Sequence, residues 1–182
     1  MPKEELPGQG APERMVTRFM TKKELITITV TLAALVAGVW FIIYWKRMKS
    51  KGVNPVTGRI SSKFGKRTAP TAGASTTHNG VDIAVPIGTS IVSPWDGTVQ
   101  NVWTDTTYGG GLSLAIMHTN KYRTGYCHLS SCSVAKGEKV KQGQEVAKSG
   151  NSGNTTGPHL HFTLTNSQGV KEDPETMFDF KA

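Results

Sequence analysis

Four of the five histidines lie in patterns that could hold a metal ion and move protons. His78 and Asp82 are four residues apart at a loop-to-strand junction, while His159 and His161 are two apart. Because residues two apart on a strand point to the same face, the closely spaced pair can act at one point. His128 ends another predicted strand. Nitrogen and oxygen ligands without thiolate favour a catalytic zinc, which takes three protein ligands and leaves a fourth position open.

The residue types alone leave the roles within this set open. His78, Asp82 and one member of the closely spaced pair would supply three metal ligands. The other member and His128 would then remain for proton transfer and for stabilising a tetrahedral oxyanion. The fifth histidine, His118, is interpreted as a packed, hydrogen-bonded residue of a strand, without a part in the chemistry.

Short strands are the elements that must position these side chains. Alternating or apolar runs separated by Gly, Pro, Asn or Ser predict strands at residues 81–85, 98–103, 112–118, 122–128, 145–148 and 160–165. Residues after 53 show no sustained helical periodicity, so the sequence predicts a mainly β fold, a compact antiparallel β-sheet domain. Two loops of small residues, 68–77 and 149–158, lead directly into histidines.

An uncharged run of 21 residues, 25–45, is long enough to cross a bilayer as a helix. Trp40, Tyr44 and Trp45 lie at one end, where an aromatic belt is expected. A buried core helix and a cleaved signal peptide are the alternatives. The run is longer than a typical signal-peptide core and lacks a small-residue cleavage pattern. We therefore predict a single transmembrane helix.

This helix divides the predicted organisation of the chain. Residues 1–24 form an N-terminal inner tail, residues 25–45 the span, residues 46–56 a basic linker and residues 57–182 the β domain. The linker and the residues up to 58 reach no more than roughly 45 Å when fully extended. The β domain is therefore expected to work close to the membrane.

Most of the positive charge lies around the span. The formal net charge is +8, and residues 1–52 contain nine basic against four acidic residues, which leaves +3 for the rest. Lipid headgroups explain the larger share, so no nucleic-acid partner is predicted. Apart from the distant Lys3, four basic residues lie close to the span on each side, so the flanks do not set its orientation. With two cysteines, a disulfide-rich scaffold and a four-cysteine zinc site are excluded.

Six ordered sequence blocks together resemble one known enzyme family. They are RISSKFGKR at 59–67, HNGVD at 78–82, WDGTV at 95–99, YCHLS at 126–130, GEKVKQGQ at 137–144 and GNSGNTTGPHLHF at 150–162. In type and order they resemble the blocks of the lysostaphin-type, LytM-like M23 zinc endopeptidases. The resemblance runs from about residue 56 to about residue 165, which is most of the β domain.

The resemblance implies one Zn²⁺ per domain. It implies His78, Asp82 and His161 as the metal ligands, with His128 and His159 as the catalytic pair. The implied substrate is the peptide part of bacterial peptidoglycan, with either a glycyl bridge or a D-alanyl–diaminopimelate cross-link as the scissile bond. Because that polymer lies outside the cytoplasm, the C-terminal domain is expected to face the periplasm or cell wall.

Alternatives to this hypothesis belong to other functional classes. One is a non-enzymatic wall-binding or activator module, and another is a zinc protease that acts on protein substrates. The short linker also leads us to expect local wall opening during phage entry, in a virion membrane, or during envelope assembly. Neither the oligomeric state nor the scissile bond follows from the sequence.

The two cysteines, Cys127 and Cys132, lie on either side of the His128 loop. Because Cys127 directly precedes His128 on a predicted strand, its side chain is expected on the opposite face and not as a metal ligand. A Cys127–Cys132 disulfide and two buried free thiols are both compatible with the sequence.

Overall fold

The computed structural model describes residues 21–48, 52–69, 75–107 and 109–181. The chain divides after Ile43 into a helical unit and a β unit, each described here by itself. Most of the predicted N-terminal tail and the centre of the 68–77 loop lie outside the described residues.

Helix α1 spans Lys22–Met48. It begins three residues before the predicted span because Thr21 and Glu24 form a capping box. The Thr21 backbone N–H donates to Glu24 Oε2 at 2.8 Å, and the Glu24 N–H donates to Thr21 Oγ1 at 3.3 Å. Its segment Lys22–Ile43 is apolar and long enough to cross a membrane, by length and composition alone. Within the helical unit its large apolar side chains are exposed, Trp40 at 69%.

In its described residues, the β unit contains thirteen strands, and all of their pairs are antiparallel. They are β1 Arg59–Ser62, β2 Gly65–Lys66, β3 Thr77–His78, β4 Val81–Ala84, β5 Ser90–Val92, β6 Gly97–Trp103, β7 Ser113–His118, β8 Arg123–Cys127, β9 Leu129–Cys132, β10 Lys139–Val140, β11 Glu145–Ser149, β12 Leu160–Thr165 and β13 Lys171–Glu172. A 3₁₀ turn, Pro174–Thr176, follows. The predicted fold class, a mainly β antiparallel domain, is confirmed.

Three sheets organise these strands. The large sheet has the order β1-β4-β12-β8-β7-β6-β10, with β13 added to β12. A second sheet has the order β5-β11-β9, and β2 pairs with β3 in a third. All six predicted strands are present, and the strands that the sequence did not predict are two to four residues long. Such strands are too short to show a period of two.

Strand β12 lies centrally, between β4 and β8, and its register sets the position of His161. His161 is opposite Asp82 of β4 on one side and opposite Cys127 of β8 on the other. Because directly opposite residues of paired strands point to the same face, these three side chains share one face of the sheet.

The core lies beneath this face and is rich in aromatic side chains. Tyr126 and Phe162 are fully buried with ring centroids 5.4 Å apart. Phe178 and Phe180 pack on Phe162 from the C-terminal segment at 5.5 and 5.9 Å. Each buried aromatic ring stabilises the fold by roughly 1.5–3 kcal/mol. The strands that hold Asp82, Cys127 and His161 therefore pack on a well-filled aromatic core.

Residues 52–56, assigned above to the linker, pack on the β unit. The Val53 N–H donates to the Pro94 carbonyl at 3.1 Å, and the Val92 N–H donates to the Pro55 carbonyl at 2.9 Å. Val56 is 5% exposed and belongs to the core. Ordered contacts of the β unit thus begin before the predicted boundary at 57.

Candidate metal centre

Three side chains that the sequence proposed as ligands meet at one point. His78 ends β3, Asp82 lies in β4 and His161 lies in β12. The two-residue turn between β3 and β4 brings His78 and Asp82 together. Gly80 makes this turn possible, because a Cβ there would lie 2.3 Å from the carbonyl oxygen of Phe162.

The spacing of the three ligand atoms fits a small tetrahedral cation. Asp82 Oδ1 lies 2.8 Å from His161 Nδ1 and 3.1 Å from His78 Nε2, and the two nitrogens are 3.0 Å apart. Zinc–nitrogen and zinc–oxygen bonds of roughly 2.0–2.1 Å give ligand separations of about 3.3 Å in a tetrahedron. The triangle needs to widen by only a few tenths of an ångström to accept Zn²⁺.

Hydrogen bonds on the far side of each imidazole fix its orientation. His78 Nδ1 donates to the Lys63 carbonyl at 2.7 Å, and His161 Nε2 donates to Asn79 Oδ1 at 3.1 Å. The inner nitrogens then carry lone pairs, so three acceptors converge on one point. Such a convergence is stabilised by a cation, which supports the zinc hypothesis on chemical grounds.

The carboxylate of Asp82 has separate partners for its two oxygens. While Oδ1 faces the two imidazoles, Oδ2 accepts a hydrogen bond from Arg67 Nη1 at 3.0 Å. Burial would raise the pKa of Asp82, but contacts with His161 and His78 outweigh burial and hold that pKa far below its usual range. Asp82 is therefore ionised at neutral pH, as a metal ligand must be.

The two remaining histidines stand beside this triangle. His159 Nε2 lies 3.7 Å from Asp82 Oδ1, and the rings of His128 and His159 are 4.7 Å apart. Each donates its Nδ1 hydrogen to a carbonyl at 2.8 Å, His128 to Ser152 and His159 to Gly157. Both therefore keep Nε2 free to accept a proton. Burial lowers the pKa of His128 to about 4, so this ring is neutral at pH 7.

A cavity of about 610 Å³ opens over these groups. Polar side chains supply much of its wall, among them Ser61, Arg67, Asn79, Asn154 and Thr155, together with His128, His159 and His161. A second cavity, of about 680 Å³, is lined by the half-exposed Trp103 and shares Gly110 and Cys127 with the first. The two adjoining cavities are large enough for an extended peptide.

Two loops that border the cavity are joined by close backbone contacts. A Cβ on Gly153 would lie 2.4 Å from Gly111 N, and a Cβ on Gly111 would lie 2.4 Å from the Ser152 carbonyl carbon. Ser152 Oγ also accepts from the Leu112 N–H and donates to the Leu129 carbonyl. The loops therefore hold the carbonyl that orients His128.

His118 lies apart from this group. Its Nδ1 contacts the Trp95 carbonyl at 3.2 Å, and its Nε2 contacts Thr124 Oγ1 at 2.6 Å. Burial lowers the pKa of His118 to about 4, so it is a neutral, hydrogen-bonded core residue. The structure gives it the packing role that the sequence indicated.

The expected position of Cys127 was wrong. Its register opposite His161 places it on the same face as the candidate ligand, and it lines the cavity together with His128. His128 has a φ of +62° and lies between β8 and β9, so the alternation of strand side chains does not extend to it. Cys127 and Cys132 are both free thiols in the structure.

Sequence reasoning gave no role to three residues that support the site, Arg67, Asn79 and Ser152. Arg67 is the last residue of the first block, RISSKFGKR, and Asn79 lies between His78 and Gly80. The available signal was that Asn79 and Ser152 lie in the blocks that contain candidate ligands and that Arg67 closes another of the six blocks. Their contacts depend on how strands meet in space, which the sequence does not display.

Comparisons with known proteins identify the family of this chain. The model of peptidase family M23 matches residues 76–174, more than half of the chain. Peptidoglycan DD-endopeptidase ShyA of Vibrio cholerae is 46% identical over 107 residues, covering 58% of this chain and 24% of ShyA. The chain spans about a quarter of the length of the curated relatives that it matches.

Solved structures share the fold. The catalytic domain of lysostaphin from Staphylococcus simulans has a TM-score of 0.58 at 30% identity, covering 65% of this chain and 90% of that domain. A zinc-containing peptidase from Vibrio cholerae has a TM-score of 0.60 at 37% identity, covering 72% of this chain and 40% of the other. The residues matched by the family model include His78, Asp82, His128, His159 and His161, and the chain belongs to peptidase family M23.

Proposed function

We propose that the protein is a zinc-dependent endopeptidase that hydrolyses peptide cross-links of bacterial peptidoglycan. One observation carries the proposal: three lone-pair atoms converge within 3.1 Å of one another, beside two imidazoles whose free nitrogens face the same cavity. The proposed peptidase domain is the β unit, with residues 57–182 as its sequence-defined extent.

The proposed ligands are His78 Nε2, Asp82 Oδ1 and His161 Nδ1. Zinc held there would supply a Lewis acid that polarises the scissile carbonyl and lowers the pKa of a water molecule. The donor set of two imidazoles and one carboxylate leaves a fourth position for that chemistry.

His128 and His159 are the proposed proton-transfer residues. Each donates its Nδ1 hydrogen to a carbonyl, which leaves Nε2 as the nitrogen of either ring that can take a proton from the attacking water. The protonated ring can then donate to the leaving amine and, beside the scissile carbonyl, stabilise negative charge on its oxygen. The carbonyls of Ser152 and Gly157 hold the rings in place for both steps.

The substrate assignment rests on the relatives and on the cavity. ShyA and ShyC of Vibrio cholerae are named as peptidoglycan DD-endopeptidases, and they are 46% and 38% identical to this chain over 107 and 122 residues. An open cavity with polar walls suits a cross-linked peptide, which must enter from the side and cannot be threaded by an end. The D-alanyl–diaminopimelate cross-link is therefore the proposed scissile bond.

Helix α1 is the proposed membrane anchor, with the β unit on the side of the cell wall. Its apolar stretch Lys22–Ile43 and the location of peptidoglycan outside the cytoplasm support this topology. Protease added to intact spheroplasts should remove the β unit, and digestion only from the cytoplasmic side would contradict the topology. Detection of the chain in purified virions would support wall opening during phage entry over envelope assembly.

Zinc content and wall hydrolysis together test the proposed function. Full-length protein in detergent is incubated with purified sacculi, and the released muropeptides are measured by mass spectrometry. Wild type should contain one zinc and release cross-link products, whereas Asp82→Ala and His161→Ala should lose both properties. The exposed Asp179→Ala is the matched control and should retain both.

Three results would overturn the proposal. Full hydrolysis by zinc-free protein would exclude the metal mechanism. Zinc-loaded wild type that binds sacculi without releasing peptides would instead indicate a wall-binding module, and cleavage of proteins but not sacculi would indicate a general protease.

A further inference from the structure

We propose that Arg67 is a positioning residue that reserves one oxygen of Asp82 for the metal, an inference that rests on the zinc site proposed above. Its guanidinium donates a hydrogen bond to the other oxygen, Oδ2. Arg67 itself contacts none of the three ligand atoms; its role is to decide how the carboxylate is presented.

The contacts of Asp82 divide cleanly between its two oxygens. Oδ1 lies 2.8 Å from His161 Nδ1 and 3.1 Å from His78 Nε2, whereas Oδ2 lies 3.0 Å from Arg67 Nη1. A free carboxylate can rotate and bind a metal through one oxygen or both. With Oδ2 held by a charged donor, rotation toward two-oxygen binding would break a charge-assisted hydrogen bond.

Ser62 fixes the same guanidinium nitrogen from the other side. Arg67 Nη1 donates to Ser62 Oγ at 2.7 Å, and Ser62 is the partner of Asp82 in the β1–β4 register. Because opposite residues share a face, Ser62 and Asp82 form two sides of a slot into which the guanidinium fits. The slot favours the position of Nη1 that contacts Oδ2.

The backbone ties Arg67 to the ligand-bearing hairpin. Arg67 directly follows β2, whose Gly65 is opposite His78 in β3, and the Arg67 N–H donates to the Thr76 carbonyl at 2.9 Å. The hairpin that carries His78 therefore also carries the residue that holds Asp82. One short element positions two of the three ligands.

Burial strengthens the attraction between Arg67 and Asp82. The side chains of Arg67 and Asp82 are 21% and 13% exposed, so water screens their attraction only weakly. Arginine suits the slot because its planar, rigid group fixes the directions in which Nη1 donates, whereas lysine offers a compact charge on a flexible stem. Removal of Arg67 would leave Oδ2 without its charged partner and free to turn toward the metal.

Metal affinity and coordination geometry test the inference without reference to hydrolysis. Zn²⁺ dissociation constants of full-length protein in detergent are measured by competition with a chromophoric chelator. Arg67→Gln should weaken binding by roughly 10–100-fold, the usual effect of losing a partner of a metal ligand. Arg67→Lys should recover part of the loss, and the exposed Arg59→Gln, with the same change of charge, should bind as wild type.

Co²⁺ substitution reports the geometry itself. In wild type the visible absorption of bound Co²⁺ should have the intensity of a four-coordinate site. In Arg67→Gln it should weaken as Asp82 binds through both oxygens and the coordination number rises to five. Ser62→Ala, which removes the second contact of Nη1, should shift the spectrum in the same direction by a smaller amount and serves if Arg67→Gln does not fold.

The results separate this inference from the proposed function. Arg67→Gln and Ser62→Ala with zinc affinity within twofold of wild type and an unchanged Co²⁺ spectrum would overturn the role of Arg67, even if wild type cleaves peptidoglycan. A wild type that binds zinc but cleaves no sacculi would overturn the proposed function, and the affinity and spectral changes would still test Arg67.

Discussion

Gly153→Ala should damage the site without touching a candidate ligand. Gly153 has a φ of +76°, and a Cβ there would lie 2.4 Å from Gly111 N and 2.7 Å from the Gly109 carbonyl oxygen. Both neighbours are backbone atoms, which cannot rotate away. Ordinary contact begins near 3.4 Å, so one of the two loops must move by about 1 Å to accept the methyl group.

Gly143→Ala provides the matched control. Its φ of +79° imposes the same backbone strain, but a Cβ there meets nothing within 4 Å. Both variants lose roughly 1–2 kcal/mol because an L-residue is strained in the left-handed region. Only Gly153→Ala adds the cost of overpacking, typically about 1–3 kcal/mol. The difference between the two free energies of unfolding should therefore be about 1–3 kcal/mol.

Activity should separate the variants further. Ser152 precedes Gly153, and its carbonyl orients His128. A displacement of about 1 Å at a positioned catalytic group can cost roughly 100-fold in rate. We expect Gly153→Ala to lose about that much turnover on sacculi, with zinc content unchanged, while Gly143→Ala retains wild-type turnover.

Urea unfolding followed by tryptophan fluorescence, zinc analysis and muropeptide release measure these three quantities. Equal stability and equal turnover of the two variants would refute the reasoning, because the clash would then be absorbed without moving the loops. Loss of zinc from Gly153→Ala alone would also contradict it, since the loops would then support the ligands and not His128.

Three further predictions concern single side chains. His118 has a pKa of about 4 in the fold against 6.5 when unfolded, so its neutral form contributes about 3 kcal/mol of stability that is present above pH 6.5 and lost as the pH falls toward 4. In urea titrations with chelator present, His118→Gln should therefore lose less stability than wild type between pH 7.5 and 4.5. An equal loss in the two proteins would contradict this. His128→Gln and His159→Gln should keep zinc but lose at least roughly 100-fold in turnover, and loss of zinc from either would make it a ligand. Methyl methanethiosulfonate should inactivate wild type and Cys132→Ser by modifying Cys127 on the cavity wall, slowly because burial raises the pKa of that thiol, whereas Cys127→Ser should resist.

Most of the fold could be predicted from the sequence because the longer strands have recognisable apolar patterns. Strand β12, with its run Leu160–Thr165, and β7, Ser113–His118, contain enough apolar residues to be visible. Strands such as β2 and β10 have two residues and exist because a neighbour pairs with them. Their formation is a tertiary event, which local patterning does not encode.

The candidate site likewise contains residues that could be predicted from the sequence and residues that could not. His78, Asp82 and His161 are recognisable because ligand chemistry restricts residue types and because short spacings in HNGVD and HLH reflect local geometry. The sequence assigned no role to Arg67 because its contacts link β1, β4 and the β2–β3 hairpin, which meet only in the folded chain. Cys127 was misplaced because a left-handed residue after it ends the strand alternation, and no glycine marks that position.

The left-handed conformation at His128 has a mechanical consequence. It lies where the chain leaves the large sheet through β8 and enters the three-stranded sheet through β9. The imidazole therefore lies at the junction of the two sheets, and its orientation depends on how β9 is held in the smaller one. Val146 and Ala147 of β11, the strand that pairs with β9, are fully buried and do not line the cavity, so we expect substitutions there to change the orientation of the His128 ring from a distance.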